Sequence, residues 1–395
     1  MIYFDNAATS FPKPRAVIDE VCRCMTQYCG NPGRGAHRLS LAASEKVFEC
    51  RALAAEMFGL NDESGVIFTL NTTHALNIAL KGLMHRGSHA IISDMEHNSV
   101  YRVIRKYADI GLYSYDVFDS LCLCSERSAE RICRSIEALV RDETELIVCA
   151  HASNICSATL PIGEIGLLCR ELNRKRLAKG LPRIYFVVDA AASAGHIPIS
   201  IRDMGIDALA VPSHKGLYGP QGCGMLLLND ILPDTLLEGG NGVSSLDPDM
   251  GYELPERYEA GTVPTPAIAG LCEGMKFVRS VGVEKIALHE CELFKLARKM
   301  LATIPSVQTY GAEHIGATLS FNLYNLSADD LGRRLDRYGI CVRSGHHCAP
   351  LAHSTLGTPR DGAVRLSFGY FNTAGEVMYL IQRLSQIAAQ ATATP

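Results

Sequence analysis

The chain has 395 residues with 38 basic and 42 acidic side chains, a formal charge of −4. That near-balance lacks the basic footprint of a nucleic-acid binder, and 47% hydrophobic residues mark an ordinary globular protein rather than a disordered one. At roughly 150 residues per domain, two or three compact units are expected.

The N-terminal Met1-Ile2-Tyr3-Phe4-Asp5 lacks a basic segment followed by an apolar one, so no secretory leader is expected and the expected location is cytoplasmic. Short apolar runs then recur: Val66-Ile67-Phe68, Ala90-Ile91-Ile92, Leu146 to Cys149, Ile184 to Val188 and Ala208 to Val211 read as buried parallel strands. Helical stretches separate them. Leu76, Leu80, Leu83 and Met84 form an i, i+4, i+7, i+8 stripe that opens after Thr72-Thr73 and ends before Gly87. The longest stretch without a charged side chain, Leu146 to Gly163, is broken by His151, Asn154 and Pro161, so no membrane span is expected.

Beyond about residue 265 the pattern changes. Two helical stretches lead to the strand-like Thr318 to Leu323, a helix capped by Ser327 and a short strand Ile340-Cys341-Val342. A long irregular loop from Arg343 to Gly362, a strand Val364 to Phe368 and a last helix opened by the box Thr373-x-x-Glu376 complete the chain. The expected fold is α/β, a mostly parallel central sheet with helices on both faces, plus a smaller α+β domain. The larger domain is expected over 15–265, and 1–14 with 266–395 form the smaller, which carries the loop; loops of that length are often functional.

Fifteen cysteines are odd in number and scattered, which fits reduced, buried thiols rather than a disulfide framework. The Cys22-x-Cys24 and Cys122-x-Cys124 pairs lack the two-residue spacer of zinc knuckles, so no metal is expected there.

In open parallel sheets ligands bind beyond the carboxyl ends of the strands. Here those ends lead to Glu96-His97-Asn98, to His151 and Asn154, to Asp189, and to Ser213-His214-Lys215. An ionised Asp189 after an apolar run needs a cationic partner, and Lys215 in an uncharged setting can form a Schiff base with an aldehyde. Pyridoxal phosphate needs both, and Thr72-Thr73 at a helix N-terminus offers a phosphate cradle. Taken singly, each residue has a plainer role as a turn cap, a solvated lysine or a helix cap; their joint placement after successive strands favours a site.

These residues carry a resemblance to the class V aminotransferase family of fold-type I pyridoxal-phosphate enzymes, and within it to cysteine desulfurases and selenocysteine lyases of the SUF-like group. It runs nearly end to end. The matching segments are Tyr3-Phe4-Asp5-Asn6-Ala7-Ala8-Thr9, Arg34-Gly35-Ala36-His37, Asn71-Thr72-Thr73, Met95-Glu96-His97, Ser153-Asn154, Val188-Asp189 and His214-Lys215. Arg257-Tyr258-Glu259-Ala260-Gly261-Thr262, Arg343-Ser344-Gly345-His346-His347-Cys348-Ala349-Pro350 and Arg365 complete them. The resemblance implies Lys215 as the Schiff-base lysine, Asp189 at the pyridine nitrogen and His97 stacked on the ring. It implies Thr72, Thr73, Ser213 and His214 around the phosphate, with Thr262 reaching the site of a second subunit in a homodimer. Asn154, Arg343, Arg365 and His37 are implied on the substrate side.

Two departures stand out. Ala192 occupies the place of a Gln that meets the phenolic oxygen, and Pro212-Ser213-His214-Lys215 moves the phosphate hydroxyl one place later than in the family. Cys348, flanked by His346, His347 and Arg343, sits in an electropositive run that favours a thiolate; His-His-Cys with Cys341 nearby could instead hold zinc. The resemblance makes Cys348 the persulfide-forming nucleophile. L-cysteine or L-selenocysteine is then the substrate, Lys215 the base at Cα, and alanine the product, with the persulfide discharged to a thiol or acceptor protein. Two alternatives remain: another class V transamination or elimination without Cys348, and a non-catalytic sulfur or metal carrier.

Overall fold

The computed structural model describes residues 1–395 except 34, 121–127, 244, 312–315 and 393–395. Arg34 and the Cys122-x-Cys124 pair lie outside the described residues. In chain order the strands are β1 (Ile2–Tyr3), β2 (Val66–Thr69), β3 (His89–Ser93), β4 (Ser114–Phe118), β5 (Thr144–Ala150), β6 (Tyr185–Asp189) and β7 (Ala208–Pro212). Then follow β8 (Gly224–Leu228), β9 (Val307–Tyr310), β10 (Thr318–Leu323), β11 (Ile340–Cys341), β12 (Arg343–Gly345) and β13 (Ala363–Ser367).

The central sheet has the order β2-β8-β7-β6-β5-β3-β4. From β7 to β4 every neighbour is parallel, whereas β8 runs antiparallel to both β7 and β2. Val66 to Phe68 therefore belongs to an antiparallel edge pair, not to the parallel set. Two further strands, β4 and β8, join those expected from the sequence; β4 lies at the sheet's other edge and is mostly part-exposed, so it lacks a continuous apolar run.

The inner strands are apolar throughout because helices cover both faces. On one face Ile91, Ile147, Val188 and Leu209 pack with Phe58, Ile165 and Leu271. Their chain neighbours Ile92, Val148, Val187 and Ala210 face the other way, against Leu76, Leu80 and Ile104, as a period-two strand requires. Full burial of one such leucine contributes roughly 1.5–3 kcal/mol. The helix Thr265–Val281 belongs to this packing through Ile268, Leu271 and Met275.

A four-stranded antiparallel sheet, β12-β13-β10-β9, builds a second core. Phe321 and Leu366 pack there with Phe294, Leu331 and Leu384 from three helices, and with Phe4. The N-terminus reaches this unit because β1 pairs in parallel with β11. The last helix, Ala374–Thr392, opens with the expected box: Thr373 N–H donates to the Glu376 carboxylate at 2.9 Å and Glu376 N–H to Thr373 Oγ1 at 3.3 Å. The segment from Arg343 to Gly362 is not irregular throughout, since it contains β12 and a short helix, Pro350–Thr355. No helix among the described residues is long and apolar enough to cross a membrane.

Candidate active site

The carboxyl ends of β3, β5, β6 and β7 open on one cavity of about 310 Å³. Asp189, the last residue of β6, is 4% exposed, and its Oδ1 accepts the Ala191 N–H at 2.8 Å. Lys215 follows β7 and lines the same cavity. Burial pulls its amine from the ordinary lysine range down to about 8, opposed by Asp189 and helped by Arg365 and Arg343. Such an amine keeps a neutral fraction near neutral pH and can serve as nucleophile or base.

The peptide ahead of Lys215 is held firmly. The His214 carbonyl accepts from Ser10 N–H (2.9 Å), Thr9 Oγ1 (3.0 Å) and Lys13 Nζ (2.9 Å). His97 caps the helix Asn98–Asp109, its Nδ1 accepting the Ser99 N–H at 3.1 Å. Burial lowers the basicity of that ring, so it is neutral and carries its proton on Nε2. The neighbouring Glu96 is fully buried and holds the end of β5 by accepting the Ala150 N–H at 2.8 Å. Burial pushes its carboxyl up to about 8.

At the other end of the cavity Thr72 and Thr73 head the helix Thr72–Leu83. Asn71 starts that helix because its side chain accepts the His74 N–H at 2.9 Å, a cap worth about 1 kcal/mol. Thr72 Oγ1 and His214 Nδ1, both from cavity-lining residues, are buried without a partner. Burial, with Lys215 and Lys13 nearby, takes the His214 ring down to about 4 and keeps it neutral. A helix N-terminus with free hydroxyl and ring donors is an anion site.

Two arginines come from the second sheet. Arg365 on β13 is 2% exposed; it donates to Asp5 Oδ1 and to the Asn154 carbonyl, each at 3.1 Å, while its Nε is buried and unpartnered. Arg343 on β12 grips the same Asp5 carboxylate at 3.0 and 3.1 Å. One carboxylate thus orients two guanidiniums and leaves a free donor for a carboxylate ligand. The sequence alone points to no role for Asp5, although it stands in the Tyr3 to Thr9 segment; its partners lie 338 and 360 residues away, which no local pattern reveals.

Cys348 completes the cavity. It and His347 both have left-handed backbones, φ 57° and 49°. Their carbonyls are pinned, His347 O by Asn154 Nδ2 at 2.8 Å and Cys348 O by Asn98 N–H at 2.7 Å. The expected electropositive run is corrected in one respect. Burial takes His347 down to about 3, so it stays neutral, and the positive charge beside Cys348 is that of Arg343.

Three expected residues lie elsewhere. Pro212 and His214 line the cavity, and alternation along the chain turns Ser213 away, its Oγ against Gly219. His37 caps the helix Arg38–Phe58, accepting the Ser40 N–H at 3.2 Å. With Thr262 it lines a second cavity of about 860 Å³, beside the 58%-exposed Phe48. The segment carrying Thr262 is anchored by Glu259, which pairs with both terminal nitrogens of Arg51 at 3.0 Å and accepts the Phe68 N–H at 2.7 Å.

Comparison with known proteins agrees along the whole chain. A probable cysteine desulfurase of Methanothermobacter thermautotrophicus is 32% identical, covering 98% of this chain and 94% of that protein. A cysteine desulfurase of Salmonella agona is 30% identical over 98% of this chain and 93% of its own. The apo structure of a cysteine desulfurase from Thermococcus onnurineus NA1 matches with a TM-score of 0.86 at 30% identity, covering 98% and 95% of the two chains. The family model for class-V aminotransferases matches residues 2–380. The chain therefore belongs to the class-V aminotransferase family.

Proposed function

We propose that this chain is a pyridoxal-5'-phosphate-dependent cysteine desulfurase, converting L-cysteine to L-alanine and carrying the sulfur as a persulfide on Cys348. One observation carries the reading: a single cavity is lined by Lys215, Asp189 and Cys348 together. The cofactor fits the donor set through the unpartnered Thr72 Oγ1 and His214 Nδ1, which suit its phosphate, and through Asp189, which suits its ring nitrogen. When bound, it supplies an aldehyde for an amine and a ring that draws charge from the substrate Cα.

The remaining roles are those of the chain's own groups. Thr72, Thr73 and His214 would hold the phosphate, and His97 would face the ring. The free Nε of Arg365 receives the substrate carboxylate, with Arg343 and Asp5 fixing its direction. Lys215, with its amine near 8, takes the proton from Cα. The Cys348 thiolate attacks the substrate sulfur as the Cβ–S bond breaks; the bonding pair stays with carbon, which takes a proton to give alanine, and a small thiol or an acceptor protein then takes the outer sulfur. Ala192 offers no side-chain donor at the phenolic oxygen, so that contact is left to Asn154.

A homodimer fits the second cavity, where His37 and Thr262 lie away from the first; a second copy would bring Thr262 to its partner's phosphate. A cytoplasmic setting fits the free thiols of all the described cysteines. The test is alanine and sulfide formation from L-cysteine and L-selenocysteine side by side. Cys348→Ala is expected to keep the yellow colour of the holoenzyme and to lose about a hundredfold or more in alanine release from cysteine. Selenium leaves with less nucleophilic help, so selenocysteine turnover falls less. Wild-type alanine release by that variant overturns the proposal, and faster turnover of selenocysteine by the parent reassigns the substrate.

A further inference from the structure

The loop that carries Cys348 has to hold two consecutive left-handed residues, a conformation that costs an L-residue roughly 1–2 kcal/mol. The pinned carbonyls of His347 and Cys348 account for part of its support. Behind them lies a chain of side chains that the chemistry proposed above does not use. Thr358 Oγ1 is 2.8 Å from His353 Nδ1. His353 Nε2 is 3.2 Å from His347 Nδ1, and His347 Nε2 is 3.3 Å from the Arg343 carbonyl. The two rings lie nearly parallel, 17° apart with centroids at 5.4 Å.

The proton positions follow from one end of this chain. A carbonyl only accepts, so His347 Nε2 carries the proton. In a neutral ring Nδ1 is then an acceptor, and His353 Nε2 must donate to it. His353 Nδ1 is left as an acceptor, and the Thr358 hydroxyl donates into it at 2.8 Å in preference to the His353 carbonyl, which lies at 3.3 Å. Both rings must be neutral for this sequence to hold, and burial lowers them to about 3 and about 4. His353 is 4% exposed and does not line the cavity.

We infer that His353 and Thr358 are positioning residues for Cys348, acting through the His347 ring to hold the thiol at the cavity. The inference rests on the reading of Cys348 as the sulfur acceptor. It assigns to one hydroxyl ten residues downstream a part in sulfur transfer and none in cofactor binding.

The experiment compares parent holoenzyme with Thr358→Val, which keeps the shape and removes the donor, and Thr358→Ser, which keeps the donor. Iodoacetamide labelling followed by mass spectrometry gives the rate at Cys348 relative to the exposed Cys22 in the same molecule. In Thr358→Val that ratio is expected to rise about threefold or more as the loop loosens, with kcat for alanine release falling about tenfold at nearly unchanged KM. Thr358→Ser restores both. A ratio in Thr358→Val equal to that of the parent overturns the inference. Histidine-¹⁵N spectra of the parent are a second arm that needs no variant: both rings are expected as neutral Nε2–H tautomers at pH 7, and an Nδ1–H tautomer or an imidazolium at either overturns it. If the labelling and tautomers agree but the parent releases no alanine from cysteine, the desulfurase reading fails and the loop device stands.

Discussion

The cavity has two halves built by different means. Asp189 ends β6 and Lys215 lies just beyond β7, strands whose ladders fix the backbone on both sides, and the His214 carbonyl takes four hydrogen bonds from the N-terminal segment. Cys348 stands on a short loop with no ladder at its own residue, held by two pinned carbonyls and a row of side chains. The strand half is regular structure with charge added at its ends. The loop half is strained backbone whose geometry depends on two distant segments, those of Asn98 and Asn154, and on the nearby His353 and Thr358. Charge balance therefore governs the first half, and hydrogen-bond direction the second.

The largest expected effect removes the amine of the strand half. Lys215→Ala should lower alanine release about a thousandfold or more, while Cys348 labelling relative to Cys22 stays at the parent value; a changed labelling ratio would show that the two halves are not independent. Asp5 is where they meet, since it bonds to Arg343 next to the loop and to Arg365 beneath the strands. Asp5→Ala leaves the buried Arg365 without its counter-charge, and a stability loss of about 3–5 kcal/mol is expected as a fall in Tm, with a raised KM for cysteine. A Tm equal to that of the parent would mean that another group balances Arg365.

A smaller effect should appear at Glu96, which braces β5 as a protonated acid. Its carboxyl titrates at about 8 in the folded chain against 4.5 as reference, so the folded state holds the extra proton between those values. The stability from this group is fully present below the unfolded value and is lost as pH rises through 8. Glu96→Gln mimics the protonated form, so its Tm should fall less than the parent's between pH 6 and 9; parallel Tm profiles would contradict a protonated Glu96. The smallest effect is expected at Ser213, whose buried Oγ has no partner and faces away from the cavity. Ser213→Ala should leave cofactor affinity and rate within about twofold of the parent, and a clear loss of affinity would return Ser213 to the phosphate.

Much of the strand half was legible in the sequence. Apolar runs buried on both faces have a continuous pattern, and the polar residues at their ends fall where α/β sheets bind ligands, so His97, Asn154, Asp189 and Lys215 could be picked out together. The antiparallel direction of β2 was not legible, because direction leaves no mark on an apolar run.

The loop half was legible only as a resemblance. That Cys348 matters could be argued from its segment, but its neighbours' charges could not. His347 beside a thiol suggests a cation in one dimension, whereas burial and Arg365 make it neutral in three. The sequence by itself determined which residues could form strands, which caps open the helices and which side chains carry chemistry, because those depend on neighbours a few positions apart. Tertiary structure alone decided that Asp5 holds both arginines, that Ser213 turns away and that Thr358 lies behind His347. Each of these depends on segments brought together by the burial of two separate cores, and on the desolvation that burial imposes on charge.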